Sequence, residues 1–340
     1  DGKIYVIGSS NGLQFLGEDN NGLNDTLLVK FDLNGEKEWV KLAGTEFQDW
    51  GESIAVDEND NIYISGRFWD NSTQTGQKIF LSKYNSEGKL QWNKSLGTNE
   101  IESNSNVVLD QEGSIFLSFN SKGNIDNLNP NGKYLSYLYK YNSNGEKKWL
   151  KTIHSNESNH NSISAIYVKN ENLYAAGNQS YDLGPNHTGN GDFFLSKFDL
   201  NGNLLWDYTF GPETSSESLG SVVISDDGSI YVEGGISGDF NGDQFFGYGD
   251  NYSDLFSAKI IERYYPNNIS LSSSSFNENI SSESIITILS TTDQDSDDTH
   301  TYELVSGDGD TDNSSFTIDG DELKINSSPD YEAQSSYSIR

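Results

Sequence analysis

The chain has 340 residues, 33% hydrophobic and 12% aromatic, which is enough apolar material for packed cores and excludes a disordered chain. Its 52 Asp and Glu outnumber 21 Lys and Arg, and the formal net charge of -31 repels nucleic acid and anionic lipid alike. There is no Cys, hence no disulfide, thiolate metal site or cysteine nucleophile, and no run of about 18 apolar residues to enter a membrane. With no Met and a strand starting within the first five residues, the sequence reads as a segment of a longer protein.

From the N-terminus onward one phrase recurs: KIYVIG (3–8), NIYISG (61–66), SIFLSF (114–119), NLYAAG (172–177) and SIYVEG (229–234). A second phrase alternates with it. LLVKFDLNGEKEW (27–39), FLSKYNSEGKLQW (80–92), YLYKYNSNGEKKW (137–149) and FLSKFDLNGNLLW (194–206) end on Trp39, Trp92, Trp149 and Trp206, spaced 53, 57 and 57 residues apart. DLFSAKI (254–260) begins a fifth, and Lys30, Lys83, Lys140, Lys197 and Lys259 fall in register. Each unit holds four short β-type runs joined by Asn-Gly, Glu-Gly or acidic turns that tolerate positive φ, with no helical periodicity.

Four strands per repeat of about 55 residues fit propeller blades better than the shorter coils of a solenoid. The phrases resemble the bacterial seven-bladed-propeller-type (SBBP-like) repeat over residues 1–262, about five blades with the first and last incomplete, and so an incomplete ring. The repeated Trp is expected to pack between blades, with a sugar-stacking platform as the alternative. The Lys is read as an amphipathic stem with its head in water. Two long insertions, 177–194 and 234–256, are rich in Asp, Asn, Gly and aromatics, and Tyr181 and Phe245 are their candidate ligand-binding residues. Asp239, Asn241 and Asp243 alternate like calcium-loop ligands, but the closing Glu is missing.

The repeat stops near Ile261, and residues 263–268 read as a linker containing Pro266 and paired Asn. Residues 269–340 alternate strands with acidic turns and resemble a cadherin-like domain, truncated at its C-terminal end. Phe276-Asn277-Glu278-Asn279, Asp293-Gln294-Asp295, Ser315-Phe316-Thr317-Ile318 and Asp330-Tyr331-Glu332 arrive in that family's order. The resemblance implies a partial cadherin/Ig-like β-sandwich and Ca2+ as cofactor. It makes Glu278, Asp330 and Glu332 one half-site, facing a following domain, and Asp293 and Asp295 another, facing the preceding one. Clustered carboxylates on turns are also what a hard cation needing six to eight oxygens requires.

The expectation is therefore an all-β, non-catalytic, adhesive segment of an extracellular or cell-surface bacterial protein, stiffened by calcium. Its partners would be neighbouring domains of the same polypeptide, surface glycans or other cell-surface proteins, with no nucleic acid and no membrane insertion. A carbohydrate-binding propeller is the alternative. A quinoprotein-type enzyme is a third reading, since Asn-Gly-x-x-x-Trp is similar to that class's tryptophan-docking repeat. Against an enzyme, His154, His160, His187 and His300 are scattered without triad or metal spacing.

Overall fold

The computed structural model describes residues 2–11, 14–15, 17–20, 22–69, 76–153, 160–180, 192–210, 217–236, 254–260, 268–293 and 298–340. The chain divides into two compact units, Asp1–Ile260 and Ile261–Arg340. Tyr181, Phe245, the Asp239–Asn241–Asp243 run and Asp295 lie outside the described residues.

In the first unit, each repeat of the sequence is one antiparallel sheet. The second blade comprises Asp49–Val56, Ile62–Trp69, Gln77–Tyr84 and Leu90–Leu96, paired in that order. The third comprises Glu102–Leu109, Ile115–Ser121, Leu135–Tyr141 and Lys147–Ile153. The fourth comprises His160–Lys169, Asn172–Ser180, Asp192–Asp199 and Leu204–Phe210. Flanking these are two three-stranded sheets, Ile4–Ser10, Asp25–Phe31 and Lys37–Ala43 as the first blade, and Glu217–Ile224, Ile230–Ile236 and Asp254–Ile260 as the fifth.

The turn before each Trp forms for a local reason. Asp32 Oδ1 accepts the N–H groups of Asn34 and Glu36 at 2.9 and 2.8 Å, and Asn85, Asn142 and Asp199 do the same in the next three blades. This side-chain mimic of a backbone turn leaves the fourth residue at positive φ, where Gly35, Gly88, Gly145 and Gly202 sit.

Neighbouring blades pack face to face through apolar layers. Leu28 of the first blade meets Ile62, Ile64 and Phe80 of the second, while Tyr63, Ile79 and Leu81 meet Val107, Ile115 and Leu117 of the third. Phe116 and Leu138 meet Ile163 and Ile166 of the fourth, and Tyr174 and Phe193 meet Leu219 and Val222 of the fifth. The repeated Trp belongs to these seams. A Cβ on Gly88 would lie 3.3 Å from the Trp39 ring of the preceding blade; Gly145 stands in the same relation to Trp92 and Gly202 to Trp149. Trp39 Nε1 and Lys30 Nζ both donate to the Ser86 carbonyl, at 3.2 and 3.3 Å. Trp149 and Lys140 share the Leu200 carbonyl at 3.3 and 3.2 Å, and Lys83 donates to Ser143 O at 3.3 Å. The in-register Lys is thus a clasp between blades, and its charge lies over an aromatic ring of its own blade, 5.0 Å from the Tyr63 centroid for Lys83.

The second unit is one four-stranded antiparallel sheet, ordered Asn268–Leu271, Ile285–Thr292, Glu322–Ile325, Phe316–Asp319. Phe316, Leu323 and Ile325 form its buried core with Phe276, Ile280, Tyr337 and Ile339 against them. A second facing sheet, as a sandwich requires, is not among the described residues.

Candidate functional site

Three of the five carboxylates read as calcium ligands converge. Glu278 follows the first strand of the second unit, and Asp330 and Glu332 follow its last, yet one oxygen from each lies within 4.8 Å of the others. The backbone brings them together: Asn279 N–H donates to Pro329 O at 2.9 Å, and Tyr331 N–H donates to Glu278 Oε2 at 3.2 Å. All three are exposed. Their chemistry fits a hard, oxygen-seeking cation, for which three carboxylates supply both charge and bidentate oxygens. Asp293 stands apart from this group, its side chain 4% exposed and 3.7 Å from His300 Nε2.

In the first unit, buried carboxyl groups head successive blades. Asp49 and Glu102 occupy the same position on the first strands of the second and third blades, and Asn161 takes it in the fourth. Asp49 Oδ2 accepts the Thr45 N–H and hydroxyl at 2.8 and 2.9 Å, and Glu102 Oε1 accepts the same pair from Thr98 and the Ser121 hydroxyl. Burial pushes the Asp49 carboxyl above its ordinary value; the Thr45 hydrogen bonds oppose the rise and the nearby Asp25 carboxylate adds to it. Burial raises Glu102 as well, but there the opposing influences include Lys78. Lys78 holds the strand position in its blade that Asp25 holds in the first. Gly44 lets both acids approach, since a Cβ there would fall 2.5 Å from Asp25 Oδ1 and 2.9 Å from Asp49 Oδ2.

Close to this end of the second blade the repeat breaks. Blades three and four carry Asn120 and Asn178 near the end of their second strands, and each amide oxygen accepts an N–H from the bulged first strand of the next blade, Ile163 at 2.9 Å and Leu219 at 3.0 Å. The second blade has Arg67 at that position, which cannot accept. Glu52 reaches the third blade instead, one residue beyond the counterpart of Ile163 and Leu219. Its Oε2 takes the N–H and hydroxyl of Ser105 at 2.8 and 2.9 Å, while its Oε1 holds Arg67 Nε at 2.9 Å. Trp50 stands where blades three and four have Ser103 and Ser162. The Arg67 guanidinium lies 5.1 Å from the Trp50 ring centroid and donates to Gln77 Oε1 at 3.2 Å. A flat aromatic ring, a flat cation, an amide and a carboxylate thus meet at one point, with the Arg67 side chain 36% exposed. Motif reading passes over this cluster. A signal for it exists in the sequence, because Trp50 and Trp69 are the two of six tryptophans outside the repeat spacing.

Comparison with known proteins bears on the repeat and on catalysis. The β-propeller repeat family matches residues 38–67, the stretch from Glu38 through Arg67. An uncharacterised WD repeat-containing protein of Acanthamoeba polyphaga mimivirus is 25% identical; the match covers 59% of this chain and 19% of the relative, so the chain spans about a fifth of that protein's length. Among solved structures, a PL25 ulvan lyase bound to a sugar fragment aligns with a TM-score of 0.47 at 11% identity, over 76% of this chain and 67% of the lyase. A thermostable family-43 glycoside hydrolase aligns with a TM-score of 0.39 at 15% identity, over 78% and 91%. The expectation that the chain is not an enzyme is corrected here, since its fold neighbours include polysaccharide lyases and glycoside hydrolases. Scattered histidines and absent cysteine are poor grounds for that exclusion, because glycoside hydrolysis runs on pairs of Asp and Glu. The family match, the distant relative and the tandem four-stranded sheets agree that the first unit of this chain is built of β-propeller repeats.

Proposed function

We propose that the propeller-repeat unit is a carbohydrate-recognition unit whose contact point is the Trp50–Arg67 cluster of the second blade. The observation that carries this reading is the joint departure of Trp50, Glu52 and Arg67 from the repeat. Here the asparagine of the third and fourth blades has been replaced by Arg67, and Glu52 makes a different bond to the next blade, at Ser105. Sugar rings stack on aromatic faces and take hydrogen bonds from planar groups such as guanidinium and amide, which is the set assembled here. The fold neighbours' names refer to carbohydrate, but their likeness is one of fold, and the reading rests on the cluster itself. Surface glycans are the partner class, and an extracellular or cell-surface setting goes with it. Affinity electrophoresis in gels containing neutral or acidic polysaccharides tests the reading, through retardation of the chain.

A second reading concerns the second unit. We infer that Glu278, Asp330 and Glu332 bind calcium there, supported by the convergence of two segments far apart in sequence. Calcium binding at a cadherin-like domain, and the stiffening and adhesion that go with it, form part of this same reading. Isothermal titration with calcium tests it.

A further inference from the structure

A cavity of about 330 Å³ lies in the seam between the first and second blades. Its room comes from residues that depart from the repeat. Thr26, Ala43, Ser82 and Asn93 line it, and their counterparts one blade on, Ile79, Leu96, Tyr139 and Leu150, belong to one apolar cluster in the next seam. Phe80 and Tyr84 give the cavity an apolar wall, while Gly44 and Asp49 line it as well. The charges depart from the repeat too. In the next seam the buried acid Glu102 is accompanied by Lys78, whose ammonium favours its charged form. Here the acid position holds Asp49, but the lysine position holds Asp25. Both carboxylates are buried, and both close on the bare α-carbon of Gly44.

Thr26, paired across the strands with Ala43, adds a third oxygen beside Gly44. It is 1% exposed, and its hydroxyl has no hydrogen-bond partner among the described residues. In the third blade the same position is held by Ser136, whose hydroxyl donates to Asn120 Oδ1 at 2.7 Å and accepts the Ile163 N–H at 2.8 Å. A buried hydroxyl without a partner carries a desolvation cost that a ligand bonded to it offsets. We propose that this seam binds a small organic cation, a primary ammonium on an apolar body. The ammonium takes the charge role that Lys78 has in the next seam, held by the Asp49 and Asp25 carboxylates and the Thr26 hydroxyl, and the body lies against Phe80 and Tyr84. The acceptors match the three donors of an ammonium, and the apolar wall buries a hydrocarbon body, which a bare metal ion lacks. The site does not draw on Trp50, Glu52 or Arg67, and neither the carbohydrate nor the calcium reading depends on it.

The test is isothermal titration of the full chain with n-butylammonium, which is the lysine side chain from its Cβ outward, and with benzylammonium. The uncharged counterparts n-butanol and benzyl alcohol are titrated at equal ionic strength. Both amines are expected to bind, each at least about tenfold more tightly than its alcohol, because the charge-assisted hydrogen bonds are lost with the charge. Asp25→Lys with Thr26→Ile gives the first blade the residue types that Lys78 and Ile79 give the second, supplying an ammonium and filling the cavity, and this variant should bind neither amine. Asp49→Asn keeps the cavity and should weaken both amines about tenfold while leaving the alcohols unchanged. Circular dichroism establishes that the variants are folded. An unmodified chain that binds neither amine, alcohols that bind as tightly as the amines, or undiminished amine binding by either folded variant overturns the proposal.

Discussion

Trp149 and Gly202 meet across the seam between the third and fourth blades: a Cβ on Gly202 would fall 3.2 Å from the indole, whose Nε1 donates to the Leu200 carbonyl at 3.3 Å. The glycine answers two demands at once, a φ of +75° and contact with the ring. Gly202→Ala is therefore expected to cost about 1–3 kcal/mol, and Trp149→Ala about 3 kcal/mol. Urea denaturation measures both. Gly132→Ala, with positive φ but nothing near its missing Cβ, is the control and should cost less.

Asp49 gives a pH dependence whose sign follows from its surroundings. Its folded carboxyl is raised above the ordinary value by burial, so its contribution to stability is full below the usual carboxylate range and is lost as pH rises through the raised value. Asp49→Asn removes that loss. The variant should melt above the unmodified chain near neutral pH, and the gap should close at about pH 4, within the usual carboxylate range. Glu102→Gln should gain less, since Lys78 already favours the charged form there. Melting curves across pH for the three proteins check this.

Calcium should raise the melting temperature of the second unit. Ligand at about 100 times its dissociation constant adds about 2.7 kcal/mol to the state that binds it. Asp330→Asn and Glu332→Gln are each expected to remove most of the shift. Differential scanning calorimetry with calcium and with chelator reads the difference.

The propeller blades are legible in the sequence because packing writes itself into a repeat. Trp39, Trp92 and Trp149 recur because each lies on a glycine of the next turn, and Lys30 and Lys140 recur because each shares the carbonyl bound by the Trp of its blade. The role of the lysines is not legible, since a solvated stem and an interblade clasp leave the same pattern in one strand. Glu278, Asp330 and Glu332 are found through their order along the chain, and the sheet of the second unit brings them together. Asp293 turns inward beside His300 instead, a contact that its neighbours in sequence do not announce. Arg67 and Trp50 escape motif reading because it looks for what repeats, and these residues matter as departures from it.

The carbohydrate reading is tested most directly by restoring the repeat. Trp50→Ser with Arg67→Asn returns to the second blade the residue types of the third and fourth, so the variant should fold with stability close to the unmodified chain. The measurement is retardation of both proteins in polysaccharide affinity gels, beside their circular dichroism melts. The account predicts that the unmodified chain is retarded by at least one polysaccharide and that the folded variant runs free. Equal retardation of both proteins, or none of the unmodified chain in any gel, would contradict it.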